Sequence, residues 1–127
     1  MLKLLALSLC VATVLGLPSY RSRIPNGYAV PSPCDDGLWR GVGHFLDYGS
    51  GPLNHFGEAF LLNDFVWDET LCRLDSDKDG VPNGVELGDP DCQWSLVNQT
   101  ALSPATGHPG ICEPVGSAEC ANSGFTC

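Results

Sequence analysis

Asp75-Ser76-Asp77-Lys78-Asp79-Gly80-Val81-Pro82-Asn83-Gly84-Val85-Glu86 carries, in a single run, the ligand spacing of an EF-hand calcium loop. Such a loop wraps one hard cation in oxygen. It places acids at positions 1, 3, 5 and 12, a backbone carbonyl at 7, an often water-bridged group at 9, and glycine at 6 for the sharp turn. Here those places fall to Asp75, Asp77, Asp79, Glu86, the Val81 carbonyl, Asn83 and Gly80. A bare D-x-D is a common solvated turn. Three aspartates, the glycine and the terminal glutamate in one register select Ca2+ over that reading.

Two features separate this loop from a signalling one. Pro82 stands at position 8, where paired EF-hands join through a backbone bridge, and it has no N–H to donate. The loop is therefore expected to be solitary. Gly88-Asp89-Pro90 follows Glu86 almost at once and leaves the exiting helix no length. A calcium sensor works by swinging two helices apart. The expectation is a structural calcium site and not a switch.

Residues 1–16 read as a signal peptide, with Lys3 as a small positive region, Leu4 to Leu15 as its apolar core and Val14-Leu15-Gly16 as a small-residue cleavage site. The apolar run is shorter than the ~20 residues that cross a bilayer, and no later run approaches that length, so no membrane anchor is expected. Removal of this segment leaves residues 17–127 as one extracellular domain. It also removes Cys10 and leaves an even six cysteines: Cys34, Cys72, Cys92, Cys112, Cys120 and Cys127. That count suits disulfides formed in an oxidising compartment. A thiolate zinc site would want close C-x₂₋₄-C pairs, and none is present.

The chain has 15 acids and 6 bases, a formal net charge of −9. Loss of Lys3 takes it to −10, and nine of the acids fall between Asp64 and Asp91. In a compact domain these charges repel one another unless a cation intervenes. The balance excludes nucleic acid, which selects basic surfaces. Asn98-Gln99-Thr100 is the one glycosylation sequon, and the secretory route makes Asn98 a candidate.

Leu17 to Pro33 reads as extended, because Pro18, Pro25, Pro31 and Pro33 oppose a helix, with a turn at Asn26-Gly27. Gly41 to Gly51 reads as turns with one short strand. Two helices are expected at Asn54–Asn63 and Asp68–Leu74, broken by Asn63-Asp64, the second running into the acidic loop. Roughly a dozen large apolar side chains, among them Trp39, Phe56, Phe60, Leu61, Phe65, Trp67, Leu71 and Trp94, must support the domain, so staples are needed. The fold class expected is a small disulfide-rich, loop-rich domain with short α-helices and a solitary EF-hand-like calcium loop. A Cys72–Cys92 bridge would close a ring of about 20 residues around that loop and stabilise it by roughly 3 kcal/mol.

Several blocks carry a family resemblance: Ile24-Pro25-Asn26-Gly27, Trp39-Arg40-Gly41-Val42-Gly43-His44, Asn54-His55-Phe56-Gly57, the stretch from Leu71 to Trp94, and His108-Pro109-Gly110. In this order, over most of residues 17–127, they resemble the temptin family, secreted water-borne attractant proteins of gastropod molluscs. The resemblance implies a cysteine-paired extracellular domain, a Cys72–Cys92 pair bracketing the loop, and a part in attracting conspecifics alongside other secreted pheromone proteins or a receptor. It transfers no receptor-binding motif. The pairing of Cys34, Cys112, Cys120 and Cys127 stays open.

The leading expectation is therefore a secreted attractant component with a structural Ca2+. The alternative is an extracellular or shell-matrix calcium-binding protein, against which the absence of long Asp-rich runs counts. An enzyme is not expected. No G-x-S-x-G or H-E-x-x-H motif occurs, and His44, His55 and His108 lack the spacing of a metal pair.

Overall fold

Asn54 and Asp68 start the two principal helices, and each does so by lending its side chain to the first turn. In the computed structural model, which describes residues 20–127, α1 spans His55–Leu62, and the extended Asn54 accepts the Gly57 N–H on its side chain at 2.9 Å. Helix α2 spans Glu69–Arg73, with Asp68 Oδ1 accepting the Leu71 N–H at 2.9 Å. These caps satisfy donors that a helix start leaves without partners. Asp64 and Phe65 adopt φ of 55° and 57°, and this left-handed pair ends the path of α1. Both helices thus fall where the sequence places them. A third, α3, is a single turn at Asn83–Glu86, ended by Gly88 at φ 80°. A Cβ at Gly88 would come within 2.0 Å of the Ser103 carbonyl oxygen, so only glycine allows that approach.

The segment expected to be extended contains one 3-10 turn, Tyr20–Arg23. The cause is local: no proline falls within these four residues, and Ile24 N–H closes the turn on Arg21 O at 3.3 Å. The short strand expected within Gly41–Gly51 is absent. Among the described residues the β pairing is confined to two isolated bridges, Pro31 with Leu38 and His44 with Leu53. The signal-peptide reading of residues 1–16 lies outside the described residues.

Phe56 and Phe60, one helical turn apart on α1, stack at 6.0 Å and meet Trp67, Leu71 and Cys72 in a single core. Val30, Val42, Leu87 and Trp94 reach the same core from irregular segments. Leu61 does not belong to it and is 45% exposed, because it points one residue round α1 from the Phe56–Phe60 face.

Three disulfides fasten the irregular chain: Cys72–Cys92, Cys34–Cys127 and Cys112–Cys120. The ring around the acidic loop is present, and Cys34 reaches across 93 residues of sequence to close the largest loop. Asp89 supplies a further, non-covalent clasp. It is 4% exposed, and its carboxylate accepts the Trp67 indole N–H at 3.0 Å and the backbone N–H groups of Gln93 at 2.9 Å and Trp94 at 3.2 Å.

Candidate metal centre

The loop between α2 and α3 is organised by its own carboxylates. Asp75 Oδ2 accepts the Gly80 N–H at 2.9 Å, Asp77 Oδ1 the Asp79 N–H at 3.2 Å, and Asp79 Oδ1 the Val81 N–H at 3.0 Å. Each bond bends the chain round its acid. Gly80 supplies φ 91° at the sharpest point, with nothing within 4 Å of a built Cβ, so backbone conformation and not space demands glycine there. Lys78, also at positive φ, is exposed.

The outcome is convergence. One carboxylate oxygen from each of Asp75, Asp77 and Asp79 lies within 4.8 Å of the other two. Glu86, on α3, is outside that tightest group, yet it borders the same open cavity as Asp79. Asp75 Oδ1, Asp77 Oδ2 and Glu86 Oε2 are buried and have no hydrogen-bond partner among the described residues. Asp77 is 6% exposed and Glu86 2%.

Burial and mutual repulsion leave their mark on these acids. Desolvation, then the charges of Asp77 and Asp79, push Glu86 up to about 11. Desolvation and the neighbouring Asp79 push Asp77 far above the usual carboxylate range. Two nearly buried acids beside two more are costly unless a positive charge or protons neutralise them.

Asn83 stands apart from the other expected ligands. It is fully buried, its Oδ1 accepts the Ser76 N–H at 3.3 Å, and its Nδ2 donates to Leu71 O at 2.9 Å and Ser76 Oγ at 2.8 Å. With Asn83 N–H donating to Leu74 O at 2.8 Å, it braces the two ends of the loop. Gly84 packs directly on the staple beneath, and a Cβ there would come 2.2 Å from Cys72 Sγ.

Glu113 carries no local signal in the sequence that would link it to the loop. It borders the same open cavity as Asp79, Val81 and Glu86, and its Oε1 accepts the His108 N–H. Desolvation and the Asp79 charge raise its pKa above the usual glutamate value.

The histidines do not gather. His44 Nδ1 meets Gly51 O at 3.1 Å, His55 faces Glu58 at 3.7 Å, and His108 is buried edge-on against Trp39. Among the described residues the one cluster with metal-ligand convergence is Asp75, Asp77 and Asp79. Asn98 is exposed.

The blocks around Trp39–His44 and Asn54–Gly57 pack against each other. Asn54 Nδ2 donates to Val42 O at 2.8 Å and His44 O at 3.1 Å, and Gly57 sits so near Gly43 that a Cβ would fall 2.1 Å from its carbonyl oxygen. Together they floor an open groove bordered by Arg21, Arg40, Phe60 and Phe65.

Short helices, three disulfides and no sheet among the described residues define a small disulfide-stapled domain, here with a convergent acidic loop between two of its helices. Residues 14–111 match the family described as Temptin C-terminal. The chain is also 47% identical over 110 residues to Temptin of Aplysia californica, an alignment spanning 86% of this chain and 88% of that one. It therefore belongs to the temptin family. No solved structure matches it. No helix among the described residues is long and apolar enough to cross a membrane.

Proposed function

We propose that this protein is a secreted, water-borne attractant component that works through its surface, by binding other secreted proteins or a receptor. The observation that carries this reading is the 47% identity to Temptin across most of both chains. Three disulfides in a chain of 127 residues fit an extracellular setting. Purified oxidised protein, released into water alone and together with egg-derived proteins, should draw conspecifics in a two-arm choice assay. Absence of attraction in both conditions would reject this function and move the extracellular-matrix reading ahead, which binding to calcium carbonate would then test.

The acidic loop is proposed to hold a structural Ca2+. Asp75, Asp77, Asp79 and Glu86 would supply carboxylate oxygens and Val81 its carbonyl, with Asn83 as a brace. The support is the burial of Asp77 and Glu86 together with their partnerless oxygens. A hard dication ligated by oxygen removes that repulsion at one stroke. Its role in attraction would be to fix the surface and not to perform chemistry. Calorimetric titration of oxidised protein is expected to show binding at ~10⁻⁴–10⁻³ M, the range of extracellular modules. No heat at millimolar calcium would refute the site.

A further inference from the structure

The acidic loop has a neighbour from the far side of the chain. Gly107 lies against it, and a Cβ built there would stand 3.4 Å from Glu86 Oε1 and 3.4 Å from Glu113 Oε1. The two carboxylates are therefore within twice that distance of each other. The backbone fixes this approach: Thr106 N–H donates to Glu86 O at 2.8 Å, and Gly107 N–H to the same oxygen at 3.4 Å. Glu113 borders one cavity with Asp79, Val81 and Glu86.

We propose that Glu113 is a calcium ligand delivered from outside the loop, so that the ion fastens the 106–113 segment to the 75–86 loop. This rests on the calcium reading given above. Two observations carry it. Glu86, 2% exposed, has an Oε2 without a hydrogen-bond partner, and the Gly107 contact places its carboxylate toward the same cavity. Asn83, at the ninth loop position, is committed to Leu71 and Ser76, which leaves a place in the coordination sphere. Ca2+ takes six to eight oxygens and is tuned by the number of charged ligands. The Glu113 oxygen that approaches Glu86 across Gly107 is Oε1, which also caps the His108 N–H. A carboxylate oxygen has two lone pairs, so the plainer capping role and a bond to the ion are compatible.

The test uses the oxidised full chain with Glu113→Gln, which keeps an oxygen for the His108 N–H but loses the charge. Glu58→Gln, an exposed acid on α1 that lines no cavity with the loop acids, is the control. Glu113→Gln should bind Ca2+ about tenfold more weakly, as expected for one charged ligand fewer. Terbium luminescence lifetimes in H₂O and D₂O should count about one additional coordinated water, which a merely structural role would not produce. Glu58→Gln should match the wild type in both. If Glu113→Gln folds poorly, the same water count on Glu113→Asp replaces it, because the shortened carboxylate should also admit water. Wild-type affinity and wild-type hydration in the Glu113 variant would overturn this inference and leave the loop intact. Absence of calcium and terbium binding in the wild type would overturn the calcium reading, and the inference with it.

Discussion

Asp89 is a buried acid with nothing repulsive about it, since its partners are one indole and two backbone N–H groups. Removing it strands three donors under Trp67 and Trp94. Asp89→Ala should therefore lower stability by about 3 kcal/mol, read as a fall in the urea midpoint with an unchanged slope. Glu86 is the opposite case. An amide is nearly isosteric with the protonated acid that burial favours there, so Glu86→Gln should melt in EDTA within a few degrees of wild type. It should nonetheless lose most of the rise in melting temperature that calcium is proposed to confer on the wild type. His108 titrates the other way. Its Nδ1 accepts the Gly110 N–H, its Nε2 has no partner among the described residues, and burial lowers its pKa to about 3. The unfolded chain, near 6.5, binds the proton first, so the stabilisation from a neutral His108 is complete above 6.5 and is lost as pH falls toward 3. By pH 5 the loss should reach about 2 kcal/mol, measured as the difference in pH slope between wild type and His108→Gln.

The helices were the legible elements, for reasons carried by single residues. Asn54 and Asp68 announce their caps, and the Phe56–Phe60 interval announces the buried face of α1. The short α3 was foreseen from Gly88, whose positive φ stops it. Val30, Val42, Leu87 and Ile111 are equally buried, but they sit in segments with no period, so spacing gives no sign of them. Leu61 shows the reverse failure, since hydrophobicity without phase misplaces it. The loop acids were readable because their spacing is local, whereas Glu113 meets them only through the fold. Gly84 tests how tightly α3 is seated. Gly84→Ala would drive a methyl toward Cys72 Sγ and the Asp89 carbonyl, at 2.2 and 2.7 Å. Because part of that contact is backbone, the variant should lose about 2 kcal/mol, seen as a lower melting temperature of the oxidised protein.

In the whole molecule, three staples and a small core share the task of holding long irregular segments. Non-reducing peptide maps should recover Cys34 with Cys127 and Cys112 with Cys120, and the Cys72 peptide linked only to Cys92. A site with a dissociation constant near 10⁻⁴ M should add about 1.4 kcal/mol at 1 mM calcium. Oxidised protein should accordingly melt several degrees higher in calcium than in EDTA.

The packing of Gly84 on Cys72 Sγ places the turn that carries Glu86 directly upon the bond that closes the loop. An ion in that loop and the covalent bond beneath it then belong to one thermodynamic cycle. Whatever factor the disulfide adds to the affinity for the ion, the ion must return as resistance of the disulfide to reducing thiols. With the proposed Ca2+ in the loop, water rich in calcium would thus make the Cys72–Cys92 bond harder to reduce at equilibrium, and depletion of calcium would make it easier.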